Sequence, residues 1–319
     1  MEYKVMNQSK EDQQPWRLLA FDTSTSSLAV AVVLGGRVLA ERNIYAERNH
    51  SAFLITAISD CLAEAGLAKR DLSGIAVGVG PGSYTGTRIA VTTAKTLAWS
   101  LKLPVYGVSS LAALALGGWA TASGQDAAAL GRLAARQGEE PAGAARAAEA
   151  PAAGLGGAAG WGKEVPSRTQ AAPPAGGEGR RYAGGHWIVP LVDARRGQAY
   201  TALLGVPAPG GMPERLAPDA IRLMDDWAGE LARRLHELPP QERPAHVWCV
   251  GETAKHEASL GALAAGFGEL VQVVPYELEG VWLGLTAMER SGHPPDDVHA
   301  LEPNYTQLTE AEVKRQQKA

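Results

Sequence analysis

Twice along this chain an apolar run ends in an aspartate and passes through a polar turn into a second apolar run. The first instance is Arg17 to Asp22 (RLLAFD) followed by Leu28 to Leu34 (LAVAVVL); the second is Trp187 to Asp193 (WIVPLVD) followed by Gln198 to Leu204. Each reads as a strand, a turn and an antiparallel strand, and their recurrence predicts an internal duplication. Gly35-Gly36 joins the second strand to a third, Arg37 to Ile44, as a hairpin.

Downstream, apolar spacing alternates between the two periods. Leu54, Ile58, Leu62 and Ala65 recur at helical intervals after Ser51, whose hydroxyl is placed to cap the helix. Gly74 to Val79 reads as a buried strand, Thr87 to Leu101 as a helix, Pro104 to Val108 as a strand and Ser109 to Trp119 as a helix. In the second half, helices are expected at about 223–238, 252–265 and 281–291, and strands at 246–250 and 271–274. Strands alternating with helices predict α/β lobes, each with a largely parallel sheet covered on both faces.

Between the halves the composition changes. Fifteen of the twenty residues from Pro141 to Gly160 are Ala or Gly, too little apolar area to offset ordering entropy. The expected division is a flexible extension over 1–16, an N-terminal lobe over 17–120, an Ala/Gly/Pro-rich disordered insert over 121–185, a C-terminal lobe over 186–295 and a tail over 296–319. At 319 residues and 45% hydrophobic side chains the chain can fill two such lobes.

The formal charge of -4 gives no overall basic field, so contact with RNA is expected only through a partner. Cys61 and Cys249 sit in apolar segments without metal-ligand spacing, as expected of buried thiols in a reducing compartment. The opening residues lack the apolar core of a secretory signal, and no apolar run approaches the roughly eighteen residues of a membrane span. A cytoplasmic protein without a membrane role is expected.

Two segments could carry chemistry. The strand-end acid of Asp22-Thr23-Ser24-Thr25-Ser26 and its hydroxyls occupy the place where the actin, Hsp70 and sugar-kinase superfamily binds metal and terminal phosphates, although the usual Gly is absent from that turn. An ordinary turn whose hydroxyls satisfy local amides accounts for it equally. Gly78 to Ala90 (GVGPGSYTGTRIA) joins a strand to a helix. Its glycines suit either an anion site at the helix N-terminus or a tight connection between packed elements. It is neither a P-loop nor a dinucleotide fingerprint.

The string GPGSYTGTRIAVTTAKTLA, residues 80–98, closely resembles the GPGSFTGxRIGxxxAxGLA signature of the bacterial TsaB (YeaZ) family. Further likenesses follow in order: LLAFDTSTSSLAVAV at 18–32, RNHSAFLITAI at 48–58, PVYGVSSLAALA at 104–115, LVDARRGQAY at 191–200 and LEPNYTQLTEAEVK at 301–314. The resemblance covers about 17–120 and 187–316, and the Ala/Gly/Pro segment departs from the family's usual length.

The resemblance implies a two-lobed actin-like ATPase fold (ASKHA, ribonuclease H-like) with duplicated lobes. It implies a non-catalytic subunit that pairs with TsaD as a heterodimer, joins the ATPase TsaE in a larger complex, meets tRNA only there, and forms a homodimer alone. TsaD transfers threonylcarbamoyl to N6 of adenosine 37 in tRNAs reading codons that begin with A. The pairing surface carried over comprises His50, Phe53, Leu54, Ile58 and Leu62 on the first helix and Arg88, Val91 and Trp99 on the helix after the Gly-rich string.

No catalytic residue and no metal ligand is assigned. TsaD's metal-binding His pair, spaced by four, has no counterpart, because Leu54 stands four residues after His50. Asp22, Thr23, Thr25, Gly80, Gly82, Ser83, Thr85, Gly86, Asp193 and Arg195 are expected to form a vestigial nucleotide or anion pocket. No cofactor is required, and the pocket leaves room for weak ATP or ADP binding. Glu252 replaces the second Gly of the turn that superfamily ATPases place against adenosine, and Arg195-Arg196 crowd the second phosphate turn. The alternatives are a nucleotide-dependent kinase or transferase of the same fold, marked by ATP turnover that Asp22→Ala abolishes, and a metallopeptidase, which the missing His pair disfavours.

Overall fold

The computed structural model describes residues 15–45, 50–139, 181–290 and 293–306. The extension before residue 15, the Ala/Gly-rich part of the insert at 140–180 and the tail after 306 lie outside the described residues.

The first half runs β1 (Arg17–Asp22), β2 (Ser27–Leu34), β3 (Arg37–Tyr45), α1 (His50–Glu64), β4 (Gly74–Gly78), α2 (Tyr84–Leu101), β5 (Val105–Val108) and α3 (Ser110–Ser123), with α4 (Ala127–Glu139) added. The second half repeats the order: β6 (His186–Arg195), β7 (Gln198–Val206), β8 (Glu214–Leu223), α5 (Met224–Glu237), β9 (His246–Gly251), α6 (Glu257–Phe267), β10 (Val271–Pro275) and α7 (Gly280–Met288). The sheet orders are β3-β2-β1-β4-β5 and β8-β7-β6-β9-β10. In each, the first three strands form an antiparallel meander and the last two add in parallel. The predicted duplication is therefore present strand for strand.

Alternation along β1 and β2 divides the packing. Leu19, Phe21, Leu28, Val30 and Val32 face α1 and α2, whereas Leu18, Ala20, Ala29, Ala31 and Val33 face a central layer. In the second lobe Val189, Leu191 and Leu203 pack with α5 and α6, and Ile188, Val192, Ala202 and Leu204 turn to the same central layer.

That layer is built by exchange. Helix α3 follows the first sheet but packs on β6, β7 and β9 of the second, and α7 follows the second sheet but packs on β1 and β2 of the first. Gly117 and Gly118 let α3 fit between them: a Cβ on Gly117 would lie 2.4 Å from Trp282 of α7, and one on Gly118 would lie 2.6 Å from Val250 of β9. Glu41 and Asn43 of β3 accept from the first amides of α7, Val281 N at 2.8 Å and Gly280 N at 3.0 Å. Each sheet is thus roofed by a helix of the other half of the chain.

Several expectations are corrected. The segment after residue 120 does have a core: α3 continues to Ser123, and α4 buries Leu130 and Ala134 in the central layer beside α7. Its Gly131 packs on the backbone of Gly36, where a Cβ would lie 1.9 Å from the Gly36 oxygen. Strand β8, not anticipated, forms an edge that tolerates Pro218. His50 and Ser51 both lie within the described part of α1, so Ser51 is not its cap, and α2 begins at Tyr84 with Ser83 as its cap. The last described residues are held to the first lobe, with Asp296 accepting from Gly107 N and pairing with Arg290, and Asn304 N donating to Val79 O.

Candidate functional site

Asp22 ends β1 fully buried. Its Oδ2 accepts from the Ser110 hydroxyl and its Oδ1 from Ser24 N, while Ser110 Oγ in turn accepts from Gly80 N at 3.0 Å. The Thr23 hydroxyl donates to Gly86 O at 2.6 Å, and Ser83 N donates to Ser24 O at 2.7 Å. Thr25 is occupied locally, its Oγ1 accepting from Ser27 N at 3.2 Å, and Ser83 Oγ caps Gly86 N at 3.3 Å. Thr85 stands exposed on the first turn of α2.

The glycines serve this joint. A Cβ would stand 1.6 Å from Asp22 Oδ2 at Gly78, 2.3 Å from Ser24 O at Gly82 and 1.8 Å from Thr23 O at Gly86. The Gly-rich string thus receives the backbone of the Asp22–Ser26 turn, and the two segments direct their polar groups at each other. Ser110, which the sequence reading did not single out, supplies Asp22 with a donor from the start of α3.

In the second lobe β6 passes through Asp193 to Arg195, and the β6–β7 hairpin turns through Arg195, Arg196 and Gly197, all at positive φ. Arg195 and Arg196 are exposed at this tip, and Arg195 N donates to Asp193 Oδ1 at 3.1 Å. Asp193 Oδ1 lies 3.5 Å from Nε2 of His256, a buried imidazole that desolvation holds below its ordinary pKa against the opposing pull of Asp193.

Glu252 joins the two sides. It follows Gly251, whose φ of +116° and close approach to Leu191 O leave no space for a side chain. Glu252 Oε2 accepts from Asp193 N at 2.8 Å, and Oε1 accepts from the Ser26 hydroxyl of the first lobe at 3.3 Å. The one proton of that hydroxyl is shared with Glu277 Oε2, the nearer acceptor at 2.7 Å. Burial pushes the Glu252 carboxyl above its usual range, partly offset by the Asp193 amide. The sequence showed an acid in place of Gly at 252; that the acid reaches both lobes depended on three-dimensional placement.

The expected pairing surface divides in two. Leu54, Ile58, Leu62 and Val91 are core residues, packed with β2 and β4 beneath α1 and α2. Leu54, Ala57, Ile58, Cys61 and Leu62 form the single apolar stripe by which α1 covers its sheet. This corrects their assignment to an exposed surface. Phe53 and Trp99 are exposed as expected, Trp99 at 69%, and Ile55 joins them at 56%. Arg88 is exposed, with its guanidinium 4.3 Å from the Tyr84 ring centroid and its Nε donating to Tyr305 Oη at 2.8 Å. The His50 side chain lies outside the described residues.

Cys61 and Cys249 are free and buried, their thiols pushed up to about 12 by desolvation. Among the described residues, no group of three or more His, Cys, Asp or Glu side chains could hold a metal ion. None of the described helices is long and apolar enough to cross a membrane.

Two five-stranded lobes of the same strand order, three strands antiparallel and two parallel in each, with a strand-end aspartate in corresponding positions, define a duplicated two-lobed α/β protein. Residues 43–131 match the family model described as TsaD, tRNA N6-adenosine threonylcarbamoyltransferase. The chain is 31% identical over 300 residues to the tRNA threonylcarbamoyladenosine biosynthesis protein TsaB of Bacillus subtilis, covering 93% of this chain and 96% of that one. TsaB of Escherichia coli is 38% identical over 103 residues, 32% of this chain and 44% of its own length. A crystal structure from Pseudomonas aeruginosa, described as similar to peptidase YEAZ, superposes with a TM-score of 0.58 at 21% identity, covering 92% of this chain and 100% of its own. YeaZ from the same organism gives 0.57 at 19% identity, covering 91% of this chain and 99% of its own. The chain belongs to the TsaB family.

Proposed function

We propose that this chain is an accessory subunit in the synthesis of threonylcarbamoyladenosine on tRNA, pairing with TsaD and supporting its transfer of threonylcarbamoyl to N6 of adenosine 37 while contributing no reacting group. TsaE joins the pair in a larger assembly, tRNA is met there, and the isolated chain forms a homodimer. The observation that carries this reading is the near full-length relationship to the Bacillus subtilis protein. The geometry agrees with it. Asp22 and the hydroxyls of Thr23, Thr25 and Ser26 are engaged with their own chain, and Phe53 and Ile55 of α1 and Trp99 of α2 expose large apolar side chains.

The test is reconstitution of transfer with TsaD and TsaE, with and without this chain. Product should fall sharply on omission, and none should form from this chain alone. Full product without it, or turnover by the chain on its own, overturns the proposal.

A further inference from the structure

We propose that Glu252 is a built-in anion: its carboxylate occupies the donors that an actin-like crevice would offer to a nucleotide phosphate, and it holds the lobes together without nucleotide. The actin-like fold implies a nucleotide in this crevice, and the residues present do not fit one. A phosphate between the strand-end turns would need donors from both lobes, and Glu252 already engages one on each side, Asp193 N and Ser26 Oγ. The Ser26 proton is shared with Glu277, so two carboxylates cover the one donor on that side. An incoming phosphate would have to break these bonds and enter beside Glu252, Glu277 and Asp193, carboxylates of its own sign. His256 is buried against Asp193, and the arginines nearest in sequence stand exposed at the hairpin tip.

Position 252 is fixed by its surroundings. Gly251 turns the chain at the end of β9, and Glu252 N donates to Leu191 O at 2.9 Å, bringing the side chain back over the end of β6. A glycine here would remove the plug while keeping the backbone, since the Glu252 φ of -77° suits either residue.

The experiment titrates magnesium ADP into the full-length chain, its Glu252→Gly variant and its Glu252→Gln variant, and follows hydrogen exchange at the Asp193 amide. Hydrogen bonds to a charged group suggest that Glu252→Gly binds about 10- to 100-fold more tightly than the parent chain. Its Asp193 amide should exchange faster without ADP and regain protection with it. Glu252→Gln, which keeps the shape but loses the charge, should exchange faster at Asp193 than the parent. Parent binding as tight as that of Glu252→Gly, or a folded Glu252→Gly with no gain, overturns the proposal. Should Glu252→Gly fail to fold, the Glu252→Gln exchange rate decides: acceleration supports the plug and an unchanged rate overturns it. No partner enters these measurements, so they leave the pairing with TsaD to its own test.

Discussion

Gly86 of α2 faces the carbonyl of Thr23 so closely that a Cβ on Gly86 would stand 1.8 Å from that oxygen, while the Thr23 hydroxyl donates to Gly86 O at 2.6 Å. The two backbones meet with no side chain between them. Gly86→Ala must therefore separate the turn from the helix, at a cost of about 2–3 kcal/mol or more. Urea denaturation should show a lower midpoint with little change in slope. A variant as stable as the parent would show that this joint yields easily.

The burial pattern of α1 separates two neighbouring residues. Leu54 is 1% exposed and Ile55 is 56% exposed. Leu54→Asp places an unpaired charge in the core and should unfold the chain. Ile55→Asp and Trp99→Asp should leave stability within about 0.5 kcal/mol. Where Ile55 or Trp99 belongs to the pairing surface, its variant should weaken self-association and TsaD binding by tenfold or more. Sedimentation and titration with TsaD check both, and unchanged pairing in the folded variants would point to a different surface.

Glu289, at the end of α7, has its carboxyl pushed up to about 7 by burial and then by the nearby charge of Glu214. Its folded value stands above the ordinary 4.5, so its favourable contribution is complete below about pH 4.5 and is lost as the pH rises through 7. Glu289→Gln removes the penalty. Relative to the parent, its stability should rise by roughly 2–3 kcal/mol between about pH 5 and pH 8. Denaturation at the two pH values gives the difference, and a constant offset would contradict the assignment.

Most strands were legible because buried runs such as LLAF and WIVPLV admit few other readings. Strand β8 was not, since Arg215, Pro218 and Asp219 interrupt the apolar pattern; its edge position and the pairing of Arg215 with Asp219 depend on distant neighbours. Helix α4 lay hidden in an Ala-rich segment because its stability comes from α7 and the Gly36 backbone, far along the chain. The apolar spacing on α1 grouped Leu54, Ile58 and Leu62 correctly on one face. Periodicity tells which residues share a face and leaves open whether a sheet or another protein covers it. The glycines between 78 and 86 posed the same difficulty, since close approach by a phosphate and by a neighbouring carbonyl demand the same residue.

The exchanged helices α3 and α7 make the two halves of the chain depend on each other for completion. Cut from its counterpart, either half would display one bare apolar sheet face and release an orphaned helix, so independent domains are not the units of folding. Once synthesis has passed Ser123, α3 still lacks its seat until β6, β7 and β9 exist, and the first sheet waits for Gly280 to Met288. Assembly of the central layer is thereby deferred until nearly all of the described chain is available.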